Sequence, residues 1–294
     1  MPNGASMTTV DITYRYKTRD APARPLPPDS NAALIRLNDG NKTFAALLEN
    51  LTEPGGSVQC IVPVDPRDLG LVPGGMEVPK QRPYAAILGC SDARVPIELI
   101  FNEGPNDLFV IRIAGNGLAT DVLGSLKYAV EHLGTSLKVI AVLGHSGCGA
   151  VTAAVDVFLK PSDYLPLVTN HALRTVLDAL LVVVQASAKR LEGTYGPEIA
   201  RRPNYRSALI EAAIVTNAAL AAFSIEQELC SGDPAALQAM YGVYLLETRE
   251  VWAPRAGRMT RGLAAAPRDS AEFTELGHAI AQSDRIASLL SAKR

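Results

Sequence analysis

The sequence predicts an α/β fold, with a mostly parallel central sheet flanked by helices, and three observations carry that expectation. Short continuous apolar runs at Tyr84–Leu88, Leu108–Ile113 and Leu137–Leu143 alternate with stretches of helical spacing. The runs are apolar at successive positions rather than at every second one, which is the pattern of strands covered on both faces. Glycines punctuate the segments: the first run ends at Gly89-Cys90, the third at Gly144-His145, and the helical stretch Leu118–Leu133 stops at Gly134, a C-cap signal.

The elements follow in order. Residues 1–30 read as an N-terminal extension, because Pro22, Pro25, Pro27 and Pro28 stiffen it and exclude a helix. Asp29 or Ser30 can cap a helix running through Leu34, Leu37, Phe44 and Leu47, weakened by Gly40. The Pro- and Gly-bearing stretch 52–80 reads as a long loop with a short strand near Val58–Val62. Pro96–Phe101 can form a short helix with proline at its start. After the third apolar run a helix starts near Gly149. Beyond residue 165 the pattern is mostly helical, over 169–191 and 206–230. Met240–Leu246 reads as a further strand, and 269–293 as a final amphipathic helix.

Composition bounds the function. With 48% hydrophobic and 20% charged residues the chain is ordinary globular protein. A net charge of -2 without a dense Lys/Arg cluster argues against nucleic-acid binding. Asp11, Thr13, Arg15, Lys17 and Arg19 interrupt any leader-like apolar run near the start. The most apolar run, Ala179–Val184, is too short to span a bilayer. The expectation is a cytoplasmic protein with no membrane partner. Four cysteines, Cys60, Cys90, Cys148 and Cys230, then read as buried thiols or metal ligands rather than disulfides.

Two strand ends carry unusual residues: Cys90-Ser91-Asp92-Ala93-Arg94 and His145-Ser146-Gly147-Cys148-Gly149. Ligands of open α/β sheets bind beyond the carboxyl ends of the strands, so residues distant in sequence can meet there. Cys90, His145 and Cys148 offer two sulfurs and a nitrogen to a zinc ion, and three protein ligands leave a fourth position for water. Asp92 can fill that position in a closed state or accept a hydrogen bond from the water. Arg94 can hold the Asp92 carboxylate through two parallel N–H bonds and keep it ionised. Taken singly these residues have plainer readings: a strand-end cysteine is most often a small buried hydrophobe, and Asp92 with Arg94 an ordinary ion pair. Zinc in a purely structural role, with Asp92 as permanent fourth ligand, also fits the spacing. Their coincidence at two strand ends of one α/β unit favours a catalytic metal. Gly115-Asn116-Gly117 lacks the later residues of a dinucleotide loop, and Gly144–Gly149 lacks the Gly-Lys-Ser/Thr of a P-loop. His132, His171 and His278 stand alone, and Cys60 and Cys230 read as structural.

The two segments together resemble the β-class carbonic anhydrase family, whose members carry C-S-D-S-R and H-x-x-C-G. Leu37–Asn41 with Phe44, Leu108–Arg112 followed by Ala114-Gly115-Asn116, Tyr128-Ala129-Val130 and Tyr241–Tyr244 are also similar to family segments. The likeness covers roughly residues 31–160 and 205–248. It implies a catalytic domain over 31–248 between an N-terminal extension, 1–30, and a C-terminal extension, 249–294, holding a helix. It implies reversible hydration of carbon dioxide to bicarbonate and a proton by zinc-bound hydroxide, with one zinc per chain on Cys90, His145 and Cys148. Asp92 and Arg94 would be catalytic; Gln81, Phe109, Tyr128 and Gly149 would meet the substrate. A homodimer or higher homo-oligomer would complete the site. Some relatives hydrolyse carbonyl sulfide or carbon disulfide with the same ligands. The chain departs from the pattern at Ala93, where Ser is common, at Ile113, where many members have Asn, in its longer 52–80 loop, and throughout 249–294.

Overall fold

The computed structural model describes residues 9–16, 25–47, 49, 57–71, 78–167, 169–230, 232–255 and 258–292. Part of the arm read over 1–30, Pro22 included, lies outside the described residues, as do 52–56 and 72–77 of the loop read over 52–80. The chain opens with β1 (Thr9–Tyr16), α1 (Ser30–Ala45) and β2 (Ser57–Val64). The ligand-bearing half follows as β3 (Ala85–Gly89), α2 (Ile97–Ile100), β4 (Leu108–Arg112), α3 (Thr120–Leu133), β5 (Val139–His145) and α4 (Gly149–Leu159). Two long helices, α5 (His171–Tyr195) and α6 (Tyr205–Leu229), lead to β6 (Gln238–Tyr244). The remainder is β7 (Val251–Arg255), β8 (Arg258–Arg261), β9 (Ala264–Ala265), α7 (Ser270–Gln282) and α8 (Asp284–Ser291).

Strands β4, β3, β5 and β6 lie side by side in that order and pair in parallel. Successive side chains of a strand face opposite ways, and the core divides accordingly. Ala86, Leu88, Ile140, Val142, Tyr241 and Val243 face the layer of α3 to α6; Ala85, Ile87, Val139, Ala141 and Met240 face α1 and α2. Both faces are covered, which is why these strands read as unbroken apolar runs. Chain order reverses between β3 and β5: the path steps from β3 outward to β4, then crosses back to β5 on the other side. That reversal opens a crevice at the carboxyl ends of β3 and β5. α5 and α6 are each long and apolar enough to cross a membrane by length and composition, and α6 is mostly buried in the protein core.

Three expectations change. The N-terminal extension contains β1, which pairs in parallel with β2 as a separate two-stranded sheet. Its Val10-Asp11-Ile12-Thr13-Tyr14-Arg15-Tyr16 alternates apolar and polar residues, so the charges that break a leader also write a strand of period two. The single helix read over 269–293 is two, parted at Ser283, whose extended backbone caps α8. The boundary drawn at residue 248 does not mark an end of packing. β7 and β9 both pair antiparallel with β6, and Trp252, Leu276, Ile280, Ile286 and Leu290 belong to the main core.

Helix α1 is seated against this body through a close approach. Asp29 caps it, its carboxylate accepting from Ala32 N–H at 2.7 Å. Asn41, buried, donates to the carbonyls of Ile100 (3.2 Å) and Arg249 (3.0 Å) and accepts from Val251 N–H (2.7 Å). Gly40 stands where a Cβ would lie 1.9 Å from the carbonyl oxygen of Phe101. The glycine that weakens the helix locally is thus what lets α1 reach the end of α2. Gly40→Ala would add about 1 kcal/mol to an unencumbered helix. Here the expected outcome is a loss of about 1–3 kcal/mol from the forced backbone shift, read as a lower urea midpoint; a raised midpoint would show that the close approach is not required.

Candidate metal centre and active site

Cys90 is the first residue beyond β3, His145 the last residue of β5, and Cys148 the N-cap of α4. β3 and β5 are neighbours in register, Gly89 opposite Leu143, so the two motifs open side by side at the chain-order reversal. The ligand atoms of Cys90, His145 and Cys148 all lie within 4.8 Å of one another, and all three residues are buried. A tetrahedral zinc with sulfur at about 2.3 Å and nitrogen at about 2.0 Å holds its ligands roughly 3.4–3.8 Å apart, so the trio is sized for it.

The hydrogen bonds favour the same reading. The His145 ring, fully buried, pairs Nδ1 with the carbonyl oxygen of Ser146 at 3.0 Å, which makes Nδ1 the protonated nitrogen. Its Nε2 is buried with no hydrogen-bond partner among the described residues. An unmet buried nitrogen costs about 1–3 kcal/mol, and beside two thiols a metal ion is the partner it suits. The Cys90 thiol is prepared as well. A hydrogen bond with Cys148, the nearby His145, and the backbone N–H groups of Asp92 and Gly115 favour the Cys90 thiolate over the opposing effect of burial, and its pKa falls to about 3. Cys148 is pushed up, first by that shared hydrogen bond and then by burial, while the N–H groups of Val151 and Ala150 at the start of α4 oppose the rise. A cation held between the two sulfurs would take the place of the shared proton and allow both to serve as thiolates.

Asp92 stands beside the trio rather than within it. Its Oδ1 accepts from Arg94 N–H and Nε, each at 2.9 Å, and its Oδ2 from Arg94 Nη2 at 2.7 Å. This grip holds the carboxyl well below the usual carboxylate range. Oδ2 lies 3.8 Å from His145 Nε2. The pair is therefore closed on itself, with the carboxylate at the edge of the ligand cluster.

The other expected substrate residues divide. Gly149 opens α4 beside Cys148, and a side chain there would meet no atom within 4 Å. Phe109 pairs with Ala86 on the sheet face that also carries Leu88 and Cys90. Tyr128, on α3, is half-exposed and stacks on His132, the ring centroids 4.4 Å apart. Gln81 is exposed and precedes the amino end of β3, whereas Cys90 follows its carboxyl end. Five strand residues at about 3.3 Å each separate those ends by roughly 16 Å, so Gln81 is not brought to this chain's own cluster.

Several residues around the site escape a motif-based reading. Arg112, the last residue of β4, donates from Nε to Cys90 O (3.1 Å) and from Nη2 to Asp92 O (2.5 Å), pinning the first ligand loop. A charge closing an apolar strand was its signal. Ser146 and Gly147, between the other two ligands, are held by carboxylates: Ser146 Oγ donates to Glu247 (2.9 Å), and Gly147 N–H to Glu211 (3.2 Å). Gly147 has φ +62°, in the left-handed region that suits glycine. Asn217 donates to Gly115 O at 2.8 Å, fixing the turn that flanks Cys90. Glu211 and Asn217 stand, with Thr216, in the mostly apolar stretch Ala208–Ala222, and that incongruity was legible.

A family model for carbonic anhydrase matches residues 85–242, from the start of β3 into β6. Carbonic anhydrase 2 of Mycobacterium tuberculosis (strain H37Rv) is 38% identical over 155 residues, 51% of this chain and 67% of the relative. The carbonic anhydrase of Mycolicibacterium smegmatis is 37% identical over the same length and shares of each chain. Among solved structures, the β-carbonic anhydrase CcaA aligns at 22% identity over 68% of this chain and 85% of that one, TM-score 0.47. One of two tetrameric β-carbonic anhydrases from Sordaria macrospora aligns at 20% over 62% and 81%, TM-score 0.41. Both ligand segments fall inside the matched span, and that span exceeds half of the sequence: the chain belongs to the β-carbonic anhydrase family and is a carbonic anhydrase.

Proposed function

We propose that the chain hydrates carbon dioxide reversibly to bicarbonate and a proton at one zinc ion, held by Cys90, His145 and Cys148. The observation that carries this reading is the buried Nε2 of His145, without a hydrogen-bond partner among the described residues, set beside the thiols of Cys90 and Cys148. Zinc bound there would lower the pKa of a coordinated water and supply a hydroxide nucleophile near neutral pH.

The chain's own residues do the rest. His145 keeps its proton on Nδ1 through Ser146 O, which leaves the Nε2 lone pair for the metal. Asp92, ionised and gripped by Arg94, is placed to accept the hydrogen of a nucleophile at the site and so fix its orientation. Arg94 also keeps that carboxylate from turning onto the metal, where it would close the site. Phe109, opposite Ala86 four residues before Cys90, and Tyr128, half-exposed on α3, would offer apolar surface suited to an uncharged linear gas in an assembled site. Two thiols that must stay reduced fit a cytoplasmic setting, which we propose for the protein.

We further propose that the active unit is a homodimer or larger homo-oligomer in which Gln81 serves the site of a second copy. The support is its position at the far end of β3 from the ligands of its own chain.

Three measurements check this account. Cys148→Ser is expected to lose most of its zinc by elemental analysis and, with it, carbon dioxide hydration in stopped flow; full zinc occupancy would remove Cys148 from the ligand set. Arg94→Ala is expected to retain zinc yet hydrate carbon dioxide more slowly, because the freed Asp92 competes for the metal; wild-type rates across near-neutral and mildly alkaline pH would reduce the pair to a structural role. Gln81→Ala and Cys148→Ser chains, each impaired alone, are expected to recover activity above the sum of the two when co-assembled, since the hybrid contains one intact shared site. No recovery in a verified hybrid would place Gln81 outside a shared site.

A further inference from the structure

Glu211 and Glu247 hold the two residues between His145 and Cys148, and neither carboxylate stands alone. Arg285, near the start of α8, reaches both. Its Nε and Nη2 donate to Glu211 Oε2 at 2.9 and 2.8 Å, and its Nη1 donates to Glu247 Oε1 at 2.7 Å. The far oxygens of the same carboxylates accept from the metal loop: Glu211 Oε1 from Gly147 N–H, Glu247 Oε2 from Ser146 Oγ–H. Ser146 Oγ in turn accepts Leu246 N–H at 2.9 Å, and Ser146 N–H donates to Tyr244 O at 2.9 Å. The bonds on Ser146 and Gly147 each fall on a residue adjacent to a ligand.

The Glu211 side chain is only 11% exposed and projects from an apolar helix. A buried carboxylate is tolerated when it is paired, and removing its partner is strongly destabilising. Arg285 supplies that partner to one oxygen of Glu211 while the other oxygen accepts from Gly147 N–H. Its planar fork also sets the spacing of the two carboxylates, as a flexible ammonium would not.

We infer that Arg285 is a positioning residue for the metal loop: through Glu211 and Glu247 it fixes Ser146 and Gly147, and thereby the separation of His145 from Cys148. The inference rests on the zinc reading above. It gives a task in the reaction to the C-terminal segment, which lies outside both the matched family span and the sequence likeness. α8 is held independently by Ile286 and Leu290 in the core, so its anchoring and its reach to the loop can be tested apart.

The test uses the full chain, with zinc affinity measured by competition against a chromogenic chelator and the cobalt-substituted protein followed by visible absorption. Arg285→Gln is expected to weaken zinc binding by about 10–100-fold, the range for groups that orient metal ligands, and to shift the cobalt bands; Arg285→Lys recovers part of the loss. Ile286→Ala, which loosens the same helix without touching the carboxylates, is expected to lower the thermal midpoint while leaving zinc affinity and cobalt bands unchanged. Should Arg285→Gln fail to fold, Glu247→Gln, at a half-exposed carboxylate, carries the test: a weaker zinc affinity at an unchanged midpoint supports the role, and wild-type affinity overturns it. Wild-type affinity and cobalt bands in a folded Arg285→Gln also overturn it, as does an Ile286→Ala loss of affinity in proportion to stability. A wild-type chain that takes up no zinc overturns the zinc reading and this inference together; zinc uptake by wild type with no effect of Arg285→Gln overturns this inference alone.

Discussion

Two thiols and one imidazole nitrogen must meet in the protein interior, from two segments more than fifty positions apart in sequence, and the rest of the structure follows from that demand. Donor atoms crowded this closely are costly to bury: an unpaired nitrogen costs about 1–3 kcal/mol, and two sulfurs cannot both ionise cheaply without a cation. The backbone therefore has to be rigid where it carries them. Parallel strands β3 and β5 provide that rigidity, locked in register with Gly89 opposite Leu143. The reversal of chain order between them leaves their carboxyl ends unobstructed.

Each ligand is then fixed by a different device. Cys90 hangs on a loop whose carbonyls Arg112 ties to the end of β4. His145 is turned by its own neighbour, through Ser146 O. Cys148 sits at the start of α4, where backbone N–H groups favour a thiolate. Each donor is thus held by strand register, a helix start or the chain's own hydrogen bonds.

Much of this was legible in the sequence because it is local. A buried parallel strand announces itself as an apolar run, and Tyr84–Leu88, Leu108–Ile113 and Leu137–Leu143 correspond to β3, β4 and β5 within two residues at either end. The meeting of Cys90, His145 and Cys148 could be anticipated because their two segments stand at strand ends. What escaped was relational. β1 needs a partner to be a strand, and its alternation alone fits an interrupted leader equally well. Gly40 looked like a defect in α1 until the approach of Phe101 O gave it a purpose. The segment 249–294 carries no motif, yet β7 and β9 complete the sheet beside β6 and α8 reaches the metal loop. Gln81 could be matched by position, but its end of β3 follows only from the strand's direction.

Charge explains why so much of the chain is spent on these contacts. Two thiolates and a neutral imidazole around a divalent ion make a centre with no net charge, so every nearby carboxylate adds uncompensated negative potential unless it is paired. Asp92, Glu211 and Glu247 all lie against the ligand loops, and each is matched by a guanidinium: Arg94 for Asp92, Arg285 for the other two. Fork-shaped pairing fixes direction as well as charge. The carboxylate oxygens thus point where the loop N–H and O–H groups require them, while their charge is neutralised locally. Lysine could balance the charge but not the geometry. Arginine at these positions suits loops that acidic side chains hold beside the Cys90, His145 and Cys148 cluster.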